Sequence, residues 1–313
     1  MKKYCFGIDV GGTSVKLGLF TTQGELLDKW EIPTRKENAG AMILSDIAAS
    51  VSKKMEEKDI NKDDVAGAGI GVPGPTMDNG YVSVCVNLGW RDKNPAEELS
   101  GMLGIPVKAG NDANVAALGE MWRGGGEGFT DVCLLTLGTG VGGGIIMNGK
   151  IAPSHRGIGG ELGHISLNPD EEEACNCGNH GCLEQYASAT GVVRTAKRLL
   201  ASSDMQSQLR GLETVTSKDV FDAAKKGDEL AAEAVELLGK YLGQTLSAVA
   251  LTVDPDIFVI GGGVSKAGQI LIDVIMKYYR KFTVIAGDSL SPVVLAKLGN
   301  DAGIYGAARM VLE

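Results

Sequence analysis

Short apolar runs alternate with amphipathic segments along the chain. Tyr4–Val10 and Val15–Phe20 are apolar runs on either side of a Gly-Gly-Thr-Ser turn, and this pattern predicts two β-strands. From Ala41 to Met55 apolar residues recur every three or four positions, which indicates an amphipathic helix. Residues 65–75 predict a buried strand followed by a glycine-proline turn, and residues 104–122 predict a strand followed directly by a helix.

The second half of the chain begins by repeating this plan. Residues 132–151 contain an apolar strand, a glycine-threonine turn, a second apolar strand and an Asn148-Gly149 hairpin signal. The later segments predict helices over Gly191–Leu200, Val220–Lys226 and Glu229–Thr252, a strand over Ile257–Ile260, a helix near Ala267–Tyr279, a strand near Val293 and a final helix from Ala302. This order predicts an α/β protein with two related halves. Since no linker rich in proline or serine separates the halves, we expect them to pack closely with a cleft between them.

Composition narrows the class of protein. A chain of 313 residues is long enough for about two domains. Its formal net charge of -9 argues against binding to nucleic acid, whose phosphates must be met by clustered lysine and arginine. The apolar run at the amino terminus is cut at Asp9, and no later segment reaches the roughly 18 apolar residues of a membrane span. We therefore expect a cytoplasmic protein with neither nucleic acid nor a membrane as a partner.

Two glycine-rich turns have the composition of a phosphate site. Gly7–Thr13 and Leu137–Gly144 each bring an apolar strand to a tip of glycines and a threonine, so backbone amides and a hydroxyl can approach a phosphate. Asp9 stands just before the first turn, where a carboxylate can hold Mg²⁺ beside the phosphates. Each turn alone is also compatible with a plain hairpin. A matched pair, one in each half, favours a nucleotide held between the halves.

Two common nucleotide-binding motifs do not fit the chain. The second turn matches G-x-G-x-x-G at Gly138, Gly140 and Gly143, but that fingerprint needs a helix after the turn, and here a strand is predicted. No segment matches the phosphate-loop motif G-x-x-x-x-G-K-[ST]. A third cluster, Gly261–Gly263, follows a strand and precedes a helix, so it fits either an adenosine contact or a tight turn.

Half of the cysteines lie in one short segment. Cys175, Cys177 and Cys182 fall within eight residues, and His164 precedes them. Three thiolates and one imidazole form a closed tetrahedral zinc site of the structural kind. Clustered cysteines in a reducing compartment more often bind metal than form disulfides, and thiol-disulfide exchange is the rival chemistry. The cluster therefore favours structural zinc, with His180 inside the loop as an alternative fourth ligand.

The neighbours of His164 favour it over His180 as the fourth ligand. Glu161 lies three residues before His164, and Glu184 lies two residues after Cys182. A zinc ion that holds both segments would place two carboxylates and an imidazole edge on one wall of a site made of loops. With no open coordination position, the zinc would not itself do chemistry.

Asn111 and Asp112 form a candidate catalytic pair at a predicted strand end and helix start. A carboxylate there can take the proton of an acceptor hydroxyl while that hydroxyl attacks the γ-phosphorus of a nucleotide. Capping of the helix by Asp112 is the structural alternative. Together with Asn87, Glu161 and Glu184, this pair offers donors and acceptors that suit a polyhydroxylated ligand. Few basic residues accompany them, so a sugar fits better than an acid.

Taken together, these motifs resemble the kinase branch of the ROK family (repressor, open reading frame, kinase), and most of all its bacterial ATP-dependent glucokinases. The resemblance rests on DVGGTSVKLGLF, GVPGP, GNDANVAALGE, LGTGVGGGII, GGELGHISL and CNCGNHGCLEQYAS, and it spans nearly the whole chain. It implies a two-domain, actin-like (ribonuclease H-like) α/β sugar-kinase fold with an interdomain cleft. Residues 1–112 and 301–313 would form a small domain, and residues 113–300 a larger domain with the zinc-binding loop.

The resemblance also implies a role for each candidate site residue. Asp112 would be the catalytic base. The sugar would be bound by Gly74, Asn87, Asn111, Asp112, Glu161, His164 and Glu184. ATP and Mg²⁺ would be bound by Asp9, Gly11, Gly12, Thr13, Lys16, Gly138, Thr139, Gly140, Gly262 and Gly263. Structural Zn²⁺ would be bound by His164, Cys175, Cys177 and Cys182.

The expected reaction is ATP-dependent phosphorylation of glucose to glucose 6-phosphate. Kinases for N-acetylmannosamine, fructose or allose are alternatives within this class, and a non-catalytic sugar sensor is the competing class. The presence of both Asp9 and Asp112 argues against the sensor. Repressors of the family carry an amino-terminal helix-turn-helix, whereas only three residues precede the first predicted strand here, so DNA binding is not expected. Because the family commonly forms dimers, we expect a homodimer.

Overall fold

The structure, a computed structural model, describes residues 2–312. Its strands are β1 (Tyr4–Val10), β2 (Ser14–Thr21), β3 (Leu26–Pro33), β4 (Val65–Val72), β5 (Val82–Cys85), β6 (Trp90–Lys93), β7 (Val107–Asn111), β8 (Val132–Leu137), β9 (Val141–Met147), β10 (Lys150–Ile151), β11 (Ile257–Gly261) and β12 (Val293–Leu295). Its helices are α1 (Glu37–Gly40), α2 (Ile43–Glu57), α3 (Pro95–Leu103), α4 (Asp112–Arg123), α5 (Glu184–Ala187), α6 (Ala189–Ser202), α7 (Ser217–Lys225), α8 (Glu229–Val253), α9 (Gln269–Phe282) and α10 (Ala302–Met310). Within residues 2–312, no helix has both the length and the apolar character needed to cross a membrane.

Two five-stranded sheets share one plan. The first has the order β3-β2-β1-β4-β7, in which β2 runs antiparallel to both β1 and β3, while β1, β4 and β7 are parallel. The second has the order β10-β9-β8-β11-β12, in which β10 is antiparallel to β9, while β8, β11 and β12 are parallel. The mixed α/β class is therefore confirmed, and the repeated plan that the sequence predicts is visible in the strand orders.

The chain divides into two compact units. The first contains the residues up to Thr130, Gly144–Gly160 and the residues from Leu298 onward, and the second contains Asp131–Gly143 and Glu161–Lys297. The boundary predicted from the sequence stands at Asp112, whereas this division keeps the whole of α4 in the first unit. The physical reason is that α4 packs along α10 and also contacts β4 and β7.

The final helix α10 packs against the first sheet and α4 through glycine positions. A Cβ on Gly7 of β1 would lie 1.8 Å from the Ile304 carbonyl oxygen, and a Cβ on Gly306 would lie 1.7 Å from the Val115 carbonyl oxygen in α4. Both distances are far shorter than van der Waals contact, and the atoms met are backbone atoms. A larger residue at either glycine would therefore force the helix away from its neighbours.

Helix α2 supplies the core on one side of the first sheet. Ile47 and Val51 are completely buried, in the same cluster as Phe6, Ile8 and Ile70 of β1 and β4. These two helical positions are four residues apart and share one face of the helix. The three- and four-residue spacing that predicts this amphipathic helix is confirmed.

Candidate active site and metal-binding loop

Three parallel strands of the first unit end at one edge of its sheet. The β1–β4 pairing runs as far as Asp9 and Gly71, and the β4–β7 pairing runs as far as Val72 and Asn111. Gly74 follows β4 in the turn beyond the same edge. In open α/β sheets, ligands bind outside the carboxyl ends of the parallel strands. This edge is therefore the place in the first unit to look for a ligand site.

Asn111 joins the start of α4 to the glycine-proline turn. Its Oδ1 accepts hydrogen bonds from the backbone amides of Ala113 at 3.0 Å and Asn114 at 3.1 Å, and its Nδ2 donates to the Gly74 carbonyl oxygen at 3.1 Å. The N-cap of α4 is thus Asn111, and the alternative in which Asp112 caps the helix is wrong. Asp112 is the first helical residue and is half-buried, and its Oδ1 accepts from the Ala113 amide at 2.8 Å. A carboxylate in the first turn interacts favourably with the helix dipole.

Asn114 is a buried supporting residue that sequence reasoning missed. Its Nδ2 donates to the Gly159 carbonyl oxygen at 3.2 Å and to Asn111 Oδ1 at 3.4 Å, and its Oδ1 accepts from the Ile145 amide at 3.4 Å. Only 8% of this residue is exposed. Asn114 therefore fixes the orientation of the Asn111 amide, and the second asparagine in Asn-Asp-Ala-Asn is the one signal that could have indicated it.

Cys85, a buried cysteine outside the metal loop, lies beside this site. It is 2% exposed, and a Cβ built on Gly74 would lie 3.9 Å from the Cys85 Cα. Burial raises the pKa of the Cys85 thiol, backbone hydrogen bonds lower it, and the negative charge of Asp112 raises it further. The thiol therefore stays protonated and serves as packing next to the candidate base.

Thr34 holds the glycine turn between β1 and β2. Its Oγ1 donates to the Gly11 carbonyl oxygen at 2.7 Å, and its amide donates to the Thr13 carbonyl oxygen at 3.0 Å. Across the turn, the Gly11 amide donates to the Ser14 carbonyl oxygen at 3.0 Å. A Cβ on Gly12 would meet nothing within 4 Å, so the backbone there faces open space. The turn is thus rigid at its base and accessible at its tip.

Asp9 and Lys16 are paired across β1 and β2 next to this turn. Burial raises the pKa of the Asp9 carboxyl, the positive charge of Lys16 lowers it, and the negative charge of Glu31 raises it. Lys16 Nζ also donates to the Asn300 carbonyl oxygen at 3.1 Å. A cation close to Asp9 would offset the cost of burying its charge, so the carboxylate suits a metal ion.

In the second unit, the start of helix α6 holds the other glycine turn. The Ala189 amide donates to the Gly138 carbonyl oxygen at 2.8 Å, and Thr190 Oγ1 donates to the Thr139 carbonyl oxygen at 2.8 Å. Within the turn, the Gly138 amide donates to the Gly140 carbonyl oxygen at 2.9 Å. The backbone that was predicted to approach a phosphate is therefore fixed by a helix end.

Glu184 links this turn to the cysteine cluster. Its Oε2 accepts a hydrogen bond from the Val141 amide at 2.9 Å, and its Oε1 lies 3.8 Å from Cys175 Sγ. A Cβ on Gly140 would lie only 2.1 Å from Oε2, so a side chain at that position would displace the carboxylate. The sequence singled out Glu184 as a sugar ligand but gave no sign of this contact.

The third glycine cluster lies at the end of β11, next to β8. Gly262 has a φ of +82°, and a Cβ there would lie 2.5 Å from the carbonyl of Leu137, the last residue of β8. Both the conformation and the packing therefore require glycine at this position. Gly263 differs, because a Cβ there would meet nothing within 4 Å. Its backbone is open to a ligand.

The structure brings the four predicted metal ligands together. The ligand atoms of His164, Cys175, Cys177 and Cys182 all lie within 4.8 Å of one another. The Cys175 Sγ to His164 Nδ1 distance is 3.9 Å, and the Cys177 Sγ to Cys182 Sγ distance is 3.7 Å. Zinc-sulfur bonds of about 2.3 Å in a tetrahedron separate two sulfur atoms by about 3.8 Å. The donor set therefore has the composition and spacing of a closed zinc site.

The three thiols of the cluster differ in their ionisation. Burial raises the pKa of Cys175, and burial likewise raises the pKa of Cys182 to about 12, whereas a hydrogen bond from the Asn179 backbone lowers the pKa of Cys177. Neutral thiols are poor metal ligands, and a bound metal ion deprotonates them by its own positive charge. Binding of zinc would therefore release protons.

His180 is engaged elsewhere in the loop. Its Nδ1 lies 2.7 Å from the Glu171 carbonyl oxygen, so this nitrogen carries the proton and donates it. The group of possible metal ligands contains His164 and not His180. The preference for His164, made from the sequence, therefore agrees with the contacts of both histidines.

The remaining predicted sugar ligands are placed on loops. Glu161 directly precedes the short 3-10 helix Leu162–His164, and its carbonyl oxygen accepts from the His164 amide at 3.1 Å. Asn87 is exposed in the turn between β5 and β6 of the first unit. The structure thus groups Gly74, Asn111 and Asp112 within the first unit, and the metal ligands with Glu184 within the second.

Comparison with known proteins relates the chain to one family over almost its full length. The chain matches the model of the ROK family over residues 5–313. It is 42% identical to a glucokinase from Halalkalibacterium halodurans, in an alignment that covers 99% of this chain and 96% of that protein.

Two solved structures with the same fold extend the comparison. A ROK hexokinase from Thermus thermophilus superposes with a TM-score of 0.81 at 31% identity, covering 97% of this chain and 96% of the other. A ROK family glucokinase from Streptomyces griseus, solved with glucose and AMPPNP, superposes with a TM-score of 0.73 at 35% identity, covering 98% of both chains. These similarities extend across both units.

Proposed function

Because the chain belongs to the ROK family, we propose that it is an ATP-dependent glucokinase, which transfers the γ-phosphoryl group of ATP to the 6-hydroxyl of glucose. The observation that carries this proposal is the similarity to glucokinases over the full length of the chain. The structure adds a capped, rigid setting for the carboxylate that such chemistry needs, because Asn111 takes the capping role at the start of α4.

In the proposed reaction, Asp112 is the general base. Its carboxylate accepts the proton of the sugar 6-hydroxyl as that oxygen forms a bond to the γ-phosphorus, and the bond from the γ-phosphorus to the bridging oxygen breaks to release ADP. Asn111 fixes the position of Asp112, because it caps the helix that begins with Asp112 and donates a hydrogen bond to the Gly74 carbonyl oxygen. The proposed ligands of the sugar hydroxyls are Asn87, Asn111, Glu161, His164 and Glu184.

The nucleotide is proposed to bind through main chain. The proposed contacts of the phosphates are Gly11, Gly12, Thr13, Lys16, Gly138, Thr139 and Gly140. The proposed contacts of the adenosine are Gly262 and Gly263. Open space at Gly12 and Gly263 supports these contacts. Asp9 would hold Mg²⁺, which neutralises phosphate charge when bound.

Zinc is the proposed structural metal of the loop. His164, Cys175, Cys177 and Cys182 would hold it, and the fit of their distances to a tetrahedron supports this assignment. Since His164 turns Nδ1 towards Cys175, its Nε2 is the nitrogen that would donate to a sugar hydroxyl. The proposed location is the cytoplasm, where clustered cysteines more often bind metal than form disulfides. A homodimer, expected from the resemblance, completes the proposal.

A panel of hexoses at fixed ATP tests the proposed substrate. ADP release would be measured for glucose, N-acetylmannosamine, fructose and allose, and the product would be identified as the 6-phosphate. We expect the highest kcat/KM with glucose. A higher kcat/KM for another hexose would reassign the substrate within the kinase class, and tight sugar binding without ATP turnover would contradict the enzyme and favour a sensor.

A further inference from the structure

One buried carboxylate in the metal loop collects an unusual number of hydrogen bonds. Glu171 has a side chain that is only 4% exposed. Its Oε1 accepts from Arg198 Nη2 at 2.7 Å and from the Glu173 amide at 3.2 Å. Its Oε2 accepts from the Tyr186 hydroxyl at 2.7 Å, Arg198 Nη1 at 2.9 Å and Arg194 Nη2 at 3.2 Å. Charge-assisted and bidentate bonds of this kind are among the strongest in proteins.

Glu171 also ties together the two arms of the loop between His164 and Cys182. Its carbonyl oxygen accepts from His180 Nδ1 at 2.7 Å, and its amide donates to the Asn168 carbonyl oxygen at 3.1 Å. Regular structure in this loop is sparse, since its β-pairing consists of the single bridges Ser166–Cys182 and Ala174–His180. The shape of the loop therefore depends on its side-chain contacts.

The arginines that bind Glu171 belong to a helix that is itself held by other contacts. Arg194 and Arg198 lie one turn apart on α6, whose first residues hold the glycine turn through Ala189 and Thr190. Helix α6 thus contacts the glycine turn at one end and the metal loop further along. Glu173 also pairs with both arginines, but 59% of its side chain is exposed, so its contribution is screened by solvent.

We infer that Glu171 is the positioning residue of the metal loop. Clamped by Arg194 and Arg198, it holds the loop in its metal-binding conformation, so that the three cysteines are already in place when the metal arrives. The inference rests on the zinc site in the proposed function. The physical reason is conformational entropy. A loop that becomes ordered only when the metal binds weakens the binding by the entropy that is lost, and a loop that is already ordered does not. Groups that hydrogen-bond directly to metal ligands typically change metal affinity by about 10- to 100-fold when removed. Glu171 acts through the shape of the loop, so we expect an effect at the lower end of this range.

The test compares Glu171→Gln with Glu172→Gln in the full-length protein. Glutamine keeps the volume of Glu171 and removes its charge, and Glu172 is an exposed neighbour in the same loop, which makes it a matched control. The zinc dissociation constant would be measured by competition with a chromophoric chelator. We expect roughly tenfold weaker zinc binding for Glu171→Gln and less than about twofold change for Glu172→Gln.

A second readout separates positioning from general destabilisation. At limiting zinc the glucose KM of Glu171→Gln should rise while that of Glu172→Gln does not, and excess zinc should return it towards the wild-type value. If Glu171→Gln does not fold, Arg198→Gln, at a side chain 44% exposed, should weaken zinc binding in the same direction. Zinc affinity equal to wild type in the folded variant would overturn this inference alone. Absence of zinc binding by the wild-type protein would overturn both this inference and the proposed metal site.

Discussion

A single methyl group at Gly140 should weaken glucose binding by displacing the carboxylate of Glu184. In Gly140→Ala the new Cβ would stand 2.1 Å from Glu184 Oε2, so the carboxylate must move and lose its bond to the Val141 amide. In Gly138→Ala, two residues earlier, the nearest atom to the new Cβ is 3.9 Å away, which is an ordinary contact. The two variants therefore apply the same chemical change to one turn with different structural consequences.

The size of the effect follows from the sugar hydrogen bond that a displaced Glu184 can no longer make. A hydrogen bond to a charged group contributes about 1.5–3 kcal/mol, which corresponds to roughly a tenfold to hundredfold change in an equilibrium constant. Steady-state kinetics with glucose and ATP varied separately would measure it. Both variants should raise the ATP KM, because both glycines are proposed phosphate contacts. Only Gly140→Ala should raise the glucose KM by roughly that factor, whereas Gly138→Ala should leave the glucose KM within about twofold. An unchanged glucose KM in Gly140→Ala, or the same pattern in both variants, would refute the placement of Glu184 as a sugar ligand held against this turn.

Two further predictions concern stability. Gly7→Ala should lower the free energy of unfolding by about 1–3 kcal/mol in urea titrations, because the new Cβ meets the Ile304 backbone. The control Gly12→Ala has open space around the new Cβ and should change the free energy of unfolding by less than about 0.5 kcal/mol. The Arg198 guanidinium lowers the pKa of Glu171 below its unfolded value of about 4.3, so the stabilisation by this carboxylate is complete at neutral pH and is lost as pH falls below about 4.3. The difference in unfolding free energy between wild type and Glu171→Gln, measured without metal, should shrink from pH 6 to pH 3, and a constant difference would contradict the ion-pair explanation.

The sequence predicts those elements whose burial is strongly patterned. The apolar runs of β1, β4, β8 and β11 and the spacing in α2 are direct consequences of a packed core. Strand β3 was missed because Leu26–Pro33 alternates half-buried and exposed residues at a sheet edge and carries several charges. The hairpin β5–β6 has only four residues in each strand, too few for a clear period.

Candidate site residues could be predicted from the sequence where residue type and spacing indicate the chemistry, as with the cysteine cluster. The contacts that support those residues could not be predicted, because the two partners of each contact are distant in the chain. Thr34 bonds to Gly11 across 23 residues, and Arg198 bonds to Glu171 across 27. Nothing in a run of neighbouring residues records such a pairing, which exists only once the helices and turns are packed.

The most direct test of the proposed mechanism is the activity of Asp112→Asn with glucose and ATP. Asparagine keeps the size and the helix-start position of Asp112 but cannot accept the proton of the 6-hydroxyl. A positioned general base contributes about 10²- to 10⁴-fold, so kcat should fall by that factor while binding of glucose and AMPPNP, measured by calorimetry, stays within about threefold. A kcat within about tenfold of wild type, with binding unchanged, would contradict the role of Asp112 as the catalytic base.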